Sequence, residues 1–281
     1  MGEISEADKF LFDIQGYLIL RGAIDRDLVD ALDQAVVENE AIEHDESWAE
    51  GIPGVRGTHF IRDLNIENQV RLNGLPRLDH VFDKLIAHPA IMYYLEAFIG
   101  EPQLVNTWSI SKYEGRAATG WHNGIKADEY LVRNGEIYSP MVNVVTMLTE
   151  NHPGDGCFCV IPGSHKRNLD LAPEWKTAGL ETPGAVEITG DPGDVMIFTE
   201  ALTHAGSDKT TKRRRTTLQY NHVHRSRACP MWDSHNARHY WMPPSIRARF
   251  SPEQKALTHW MDYATPDRSI PGSERIDDPP A

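Results

Sequence analysis

Residues 193–206 read Gly193-Asp194-Val195-Met196-Ile197-Phe198-Thr199-Glu200-Ala201-Leu202-Thr203-His204-Ala205-Gly206. A Gly-Asp turn feeds a short apolar run of strand length, and a histidine follows just beyond the end of that run. The same texture recurs on either side. Leu104 to Tyr113, Met141 to Leu148, Cys157 to Ile161, Ala185 to Ile188 and Thr216 to Val223 are apolar or alternating and are separated by turn residues. Six such segments at short spacing imply a β-barrel or jelly roll, because each sheet face must be covered by another layer.

The first hundred residues read differently. Ser5-Glu6-Ala7-Asp8 resembles a capping box before Phe10, Leu11 and Ile14, and Gly16 separates that helix from the strand-like Tyr17-Leu18-Ile19-Leu20. Asp25 stands where it could cap a second helix that runs to about Ile42, with Leu28, Leu32, Ala35 and Val36 on one face. Residues 43–75 are polar and aperiodic and read as a long loop, and two more helices are expected near 78–87 and 89–98, the second ended by Gly100. A last helix begins at Ser251-Pro252-Glu253 and leads into a loose tail from Ala264. The organisation expected is one domain over 1–281: a mainly helical N-terminal part at 1–102, a β core at 103–224, and a C-terminal lid, helix and tail at 225–281.

The chain carries 28 Lys and Arg against 41 Asp and Glu, a formal net charge of −13. That balance argues against a nucleic-acid polymer or an anionic membrane surface as partner. Three cysteines, Cys157, Cys159 and Cys229, make no disulfide framework and suit a cytoplasmic protein. No apolar run approaches the roughly 20 residues that span a bilayer. Thirteen histidines stand out, since imidazole is both a common transition-metal ligand and a neutral-pH acid or base.

Two of them can meet in a barrel: His122, in Thr119-Gly120-Trp121-His122-Asn123-Gly124, and His204, with Arg215 eleven residues beyond it at the head of another strand. With Gly154-Asp155-Gly156-Cys157-Phe158-Cys159-Val160-Ile161-Pro162-Gly163-Ser164-His165-Lys166 and Gly193-Asp194 between them, in this order, the chain resembles the phytanoyl-CoA dioxygenase family from about Tyr17 to Tyr220. The resemblance implies a mainly β fold with α elements, a double-stranded β-helix (cupin-like jelly roll) with packed N-terminal helices. It further implies Fe(II), 2-oxoglutarate and O2 as cofactors, with His122 and His204 as metal ligands and Arg215 as the co-substrate anchor. Neutral imidazoles bind Fe(II) well, and a planar guanidinium grips a carboxylate through paired hydrogen bonds. Thr217 shares the Arg215 face of its strand and adds a hydroxyl to the same carboxylate.

The departure is at Gly124. The family pattern puts a carboxylate ligand there, and glycine brings neither ligand nor charge. Non-haem iron halogenases share this His-x-Gly pattern, in which a halide fills the position and is passed to the substrate radical. The leading expectation is therefore a chloride-dependent halogenase acting on an unactivated C–H of a small polar metabolite in secondary metabolism, a nucleotide first and a free amino acid second. A hydroxylase, with Asp128 or Glu129 swinging in to replace the missing ligand, is the alternative. A non-catalytic binding module is the third reading.

Trp121, Asn123, Arg213 and Tyr220 are the substrate-contact candidates, supported by the basic and aromatic supply of Arg225, Arg227, Trp108 and Trp232. His222 and His224 are expected to face the pocket or an edge rather than chelate. His235 and His239 read as surface or lid residues, Cys157 and Cys159 as small core residues, and His165 as a structural part of its turn. A small-molecule partner is expected; a carrier protein and the oligomeric state stay open.

Overall fold

The computed structural model describes residues 4–44, 62–64, 66–227 and 244–258. The expectations placed on Cys229, Trp232, His235, His239 and the tail lie outside them.

The apolar run at Val195–Thr199 becomes a strand (β10) that is buried along its whole length and paired antiparallel on both sides. Its partners are Tyr17–Leu20 (β1) and Met141–Met147 (β7). Beyond β7 the sheet continues through Arg215–His224 (β12), Pro102–Lys112 (β4), Gln69–Asn73 (β3) and Arg62–Asp63 (β2), giving seven strands in the order β1-β10-β7-β12-β4-β3-β2. A second sheet orders His204–Gly206 (β11), Phe158–Val160 (β8) and Val186–Ile188 (β9). A separate hairpin joins Leu131–Arg133 (β5) to Glu136–Tyr138 (β6). The larger antiparallel sheet and the smaller one form the expected jelly roll.

The helices fall where caps and periodicity put them. Ser5 accepts a hydrogen bond from the Asp8 amide and starts Glu6–Gln15 (α1), which Gly16 closes in a left-handed conformation. Arg26–Ala41 (α2) follows Asp25, whose side chain makes no capping bond, and Pro89–Ile99 (α3) ends at Gly100. Phe12 of α1 and Phe98 of α3 stack with centroids 3.7 Å apart and are both fully buried, fastening the two helices together.

Three expectations need correction. The helix foreseen at 78–87 is a 3-10 turn at His80–Leu85, capped by the Asp79 side chain. The loop foreseen at 43–75 contains β3, whose Gln69-Val70-Arg71-Leu72-Asn73 alternates as a strand should; its polar members share the face of the barrel-interior residues of β4, so its apolar content is too low to register as a strand. The described part of the C-terminal region expected as a lid also differs: the short helices Pro244–Ala248 and Pro252–Leu257 pack by the His80–Leu85 turn, where Arg249 pairs with Asp83 at 2.6 Å and Gln254 donates to the Asp83 carbonyl. That is the helical side of the large sheet.

The motif residues between the two histidines mostly build scaffold. Asp155 is fully buried and takes bonds from Lys209, Arg213, Thr211 and the His152 amide. Asp194 binds Arg21 at 2.6 Å and the Gly22 amide at 2.8 Å, tying the end of β1 to β10. A side chain at Gly193 would press on the Ile24 carbonyl at 2.5 Å, so glycine is required there. His165 is buried, bonded to the Asp13 carbonyl at 2.9 Å and set edge-on to Tyr130.

Candidate active site

Main-chain pairing makes the site. His122 and His204 form an antiparallel bridge, each amide donating to the other's carbonyl at 3.0 Å. Thr119 donates to Gly206 at 2.9 Å and Gly124 to the Glu200 carbonyl at 2.9 Å, so the 119–124 segment runs alongside 200–206. Residues 76 positions apart, Gly124 and Glu200, therefore become neighbours.

The two imidazoles lie 4.2 Å apart between ring centroids. Nδ1 of His122 is 3.0 Å from the Gly120 carbonyl and Nδ1 of His204 is 2.8 Å from the Leu202 carbonyl. A carbonyl can only accept, so each Nδ1 carries the proton and each Nε2 keeps its lone pair for a metal, the orientation that outer carbonyls impose on metal-binding histidines. Phe158 stacks on His204 at 5.2 Å and Phe198 meets it edge-on at 4.9 Å. Burial, together with the neighbouring His122, pushes the His204 imidazole down to about 3, which keeps it neutral. The rings thus fit a transition-metal ion.

Register on β12 places the other candidates. Arg215, Thr217, Gln219 and Asn221 alternate onto one face and pair across with Lys112, Ile110, Trp108 and Asn106 of β4. Arg215 is buried and donates to Asn151 at 2.5 Å and to Thr217 at 3.3 Å. Lys112, opposite it, is also buried and donates to the Gly156 carbonyl at 2.8 Å. Desolvation, reinforced by the nearby Arg215 and Arg116, pulls the Lys112 ammonium down to about 7. Neither cation has a carboxylate partner among the described residues, so the pair fits a small dianion.

Some sequence candidates lie elsewhere. Tyr220 and His222 fall on the opposite face of β12: the Tyr220 hydroxyl donates to the Phe82 carbonyl at 2.7 Å, and His222 is buried there with neither ring nitrogen paired. Both are corrections, and the reason is strand parity: residues one apart point to opposite faces. Arg213 is half-exposed and binds Glu150 and Asp155, outside the barrel. Glu129 is engaged by Arg227 at 2.5 Å and by the Lys126 amide at 2.8 Å, so its carboxylate is taken, while Asp128 is exposed. Trp121 stands at the rim, its indole donating to Thr182 at 2.9 Å, and Asn123 donates to the Ala201 carbonyl at 2.6 Å. Arg225, at an exposed turn, pairs with Glu101.

Three residues the sequence did not single out are inside. Glu200 is buried beside Gly124, its Oε1 taking bonds from Asn143 at 3.1 Å and Asn221 at 3.2 Å, and its Oε2 standing 3.8 Å from Nε2 of His204. Desolvation drives its carboxyl up to about 7 against the pull of those two amides. Lys112 is the second, and Arg71 of β3 the third, its guanidinium 4.8 Å above the Trp108 ring. An acid four residues before a histidine, at the end of a buried strand, was the available signal for Glu200. Among the described residues no three His, Cys, Asp or Glu side chains are drawn together as a ready-made metal cage.

The jelly roll is a cupin-like fold, and solved structures share it. HygX from Streptomyces hygroscopicus, bound to nickel, 2-oxoglutarate and hygromycin B, superposes with a TM-score of 0.66 at 18% identity, covering 79% of this chain and 88% of that one. The phytanoyl-CoA dioxygenase profile matches residues 12–217, and the chain belongs to that family. Among curated relatives, the iron/alpha-ketoglutarate-dependent dioxygenase ausU of Aspergillus calidoustus is 24% identical over 70% of this chain and 63% of its own length. L-proline trans-4-hydroxylase of Streptomyces griseoviridis is 25% identical over 57% of this chain and 70% of its own. Across the curated relatives it matches, the chain spans from 35% to 70% of their length.

Proposed function

We propose that this protein is an Fe(II)- and 2-oxoglutarate-dependent oxygenase that hydroxylates a C–H bond of a small polar molecule. The observation that carries the reading is the bridged pair His122 and His204, both with Nε2 free, in the same barrel as the buried, carboxylate-free pair Arg215 and Lys112. The relatives named as dioxygenases and hydroxylases support it.

His122 and His204 would hold the iron. Arg215 would bind the far carboxylate of 2-oxoglutarate, with Thr217 orienting the guanidinium and Lys112 adding a second positive charge. When bound, iron and 2-oxoglutarate supply the oxidising chemistry: one atom of O2 enters succinate as CO2 leaves, and the other enters the substrate C–H. The chain's own residues bind, orient and exclude water. Phe158 and Phe198 wall His204 with apolar surface. Arg71 over Trp108, and the buried, unpaired amide atoms Asn106 Nδ2, Asn143 Oδ1 and Asn221 Oδ1, offer a polar anionic substrate both charge and hydrogen bonds. A nucleotide suits that set best, and a free amino acid is second.

Chlorination is the second reading, favoured by one observation: the position two after His122 is glycine. Anaerobic addition of 2-oxoglutarate to the Fe(II)-loaded protein is expected to produce a charge-transfer absorption, lost in His204→Ala. No absorption in the parent protein would overturn the oxygenase reading. With O2 and a panel of nucleotides and amino acids, the product should gain an oxygen atom whether or not chloride is supplied. A chlorinated product selects the second reading.

A further inference from the structure

We propose that Glu200 supplies the carboxylate that Gly124 lacks, so that iron is held by His122, His204 and a glutamate from the other strand of the bridge. The inference rests on His122 and His204 being iron ligands. It starts from the space around Gly124. That glycine is absent from the positive-φ residues, so its backbone conformation does not demand glycine. What demands it is Glu200: a Cβ placed on Gly124 would overlap Oε2 of Glu200 and stand 3.0 Å from its Cβ and Cδ. The carboxylate therefore occupies the very space into which a side chain at 124 would project.

Glu200 cannot readily move aside. Its Oε1 is fixed by amides from two neighbouring strands, Asn143 of β7 and Asn221 of β12, and its side chain is only 6% exposed. Oε2 faces His204 and meets no Lys or Arg among the described residues. A buried carboxylate without a cation is costly, and a metal ion bound between it and the two Nε2 atoms removes that cost. The distance is close to what such an ion needs. Two ligands at right angles around a transition metal, each about 2.1 Å from it, stand about 3 Å apart; Oε2 and Nε2 of His204 are 3.8 Å apart. That pair is within an ångström of the required spacing, and since the three side chains do not already stand together as a metal cage, ion binding has to draw Oε2 and the two imidazoles inward while Oε1 keeps its two amides. The glutamate also restores the negative charge missing at 124, which leaves a halide no charge to supply.

The test is Co(II) binding to the full chain in chloride-free buffer with 2-oxoglutarate, followed by calorimetry. Glu200→Ala and the near-isosteric Glu200→Gln should each weaken binding at least about tenfold. Gly124→Asp alone should weaken it too, because the new side chain collides with Glu200. Gly124→Asp combined with Glu200→Ala should bring affinity back to near that of the parent, since the carboxylate has changed strands but not position. Unchanged affinity in both Glu200 variants overturns the proposal, as does a double variant no tighter than Glu200→Ala. His122→Ala and His204→Ala separate the two levels: if they too bind Co(II) like the parent, the iron site itself has been misplaced, whereas loss in these with none in the Glu200 variants condemns the glutamate alone.

Discussion

The two faces of β12 are built from one continuous run of ten residues and behave as different materials. Arg215, Thr217, Gln219 and Asn221 look inward at Lys112, Trp108 and Glu200, where Arg215 and Lys112 lie buried with no carboxylate bonded to them among the described residues and amide atoms lack partners. Thr216, Leu218 and Tyr220 look the other way: Leu218 and Tyr220 join the main hydrophobic core, and Thr216 is bonded to Ser111. Apart from the buried His222, whose ring nitrogens lack partners, the outer face is satisfied in the free protein and contributes stability. The inner face is under-satisfied in the free protein, and that unmet electrostatic demand is what a dianionic co-substrate and a metal answer.

The contrast breaks most decisively at Arg215. Arg215→Leu is expected to weaken 2-oxoglutarate binding by about thirtyfold to several thousandfold, since truncating one partner of a buried charge pair costs roughly 2–5 kcal/mol. The same change should leave the melting temperature of the free protein level or higher, because a buried unpaired cation is removed. Calorimetric titration and a thermal melt on one sample check both, and a large drop in melting temperature would show that Arg215 is structural. Leu218→Ala, three residues on, should do the reverse: about 2–5 kcal/mol of stability lost in denaturant unfolding, with 2-oxoglutarate affinity of the folded protein unchanged.

The smallest expected effect is in pH dependence. The Lys112 ammonium is held down to about 7 in the folded protein, against an ordinary value near 10.5. Between those limits the unfolded chain binds more protons than the folded one, so this residue makes stability of the free protein rise with pH above 7. A bound dianion favours the charged ammonium and raises its pKa. Binding of 2-oxoglutarate should therefore take up a proton above pH 7, and affinity should fall as pH rises there, by at most about tenfold per unit. Titrations in buffers of different ionisation enthalpy measure that proton, and Lys112→Met should abolish it.

Much of this was readable in the chain. Caps at Ser5 and Ser251 and the strand runs at 141–148 and 195–198 are local signals, and each element appears where its chemistry put it; the ordered set His122, Gly154-Asp155-Gly156, His204 and Arg215 is likewise written in residue order along the chain. Residues whose meaning depends on parity were not. Tyr220 seemed a substrate contact until β12 turned it outward, and Arg71 seemed part of a loop because a strand facing a polar interior lacks the apolar alternation that betrays most strands. Asp128 and Glu129 are the acids near Gly124 along the chain, while the carboxylate that lies against it in space is Glu200.

The sequence by itself determined the family, the jelly-roll class and the absence of an acid at 124, because each is written in residue types at short spacing. Only the tertiary structure decided what fills the space beside Gly124. An antiparallel bridge joins segments about eighty residues apart, and the register of that bridge, set by main-chain hydrogen bonds, lays a glutamate against the glycine that stands at the family motif's acid position.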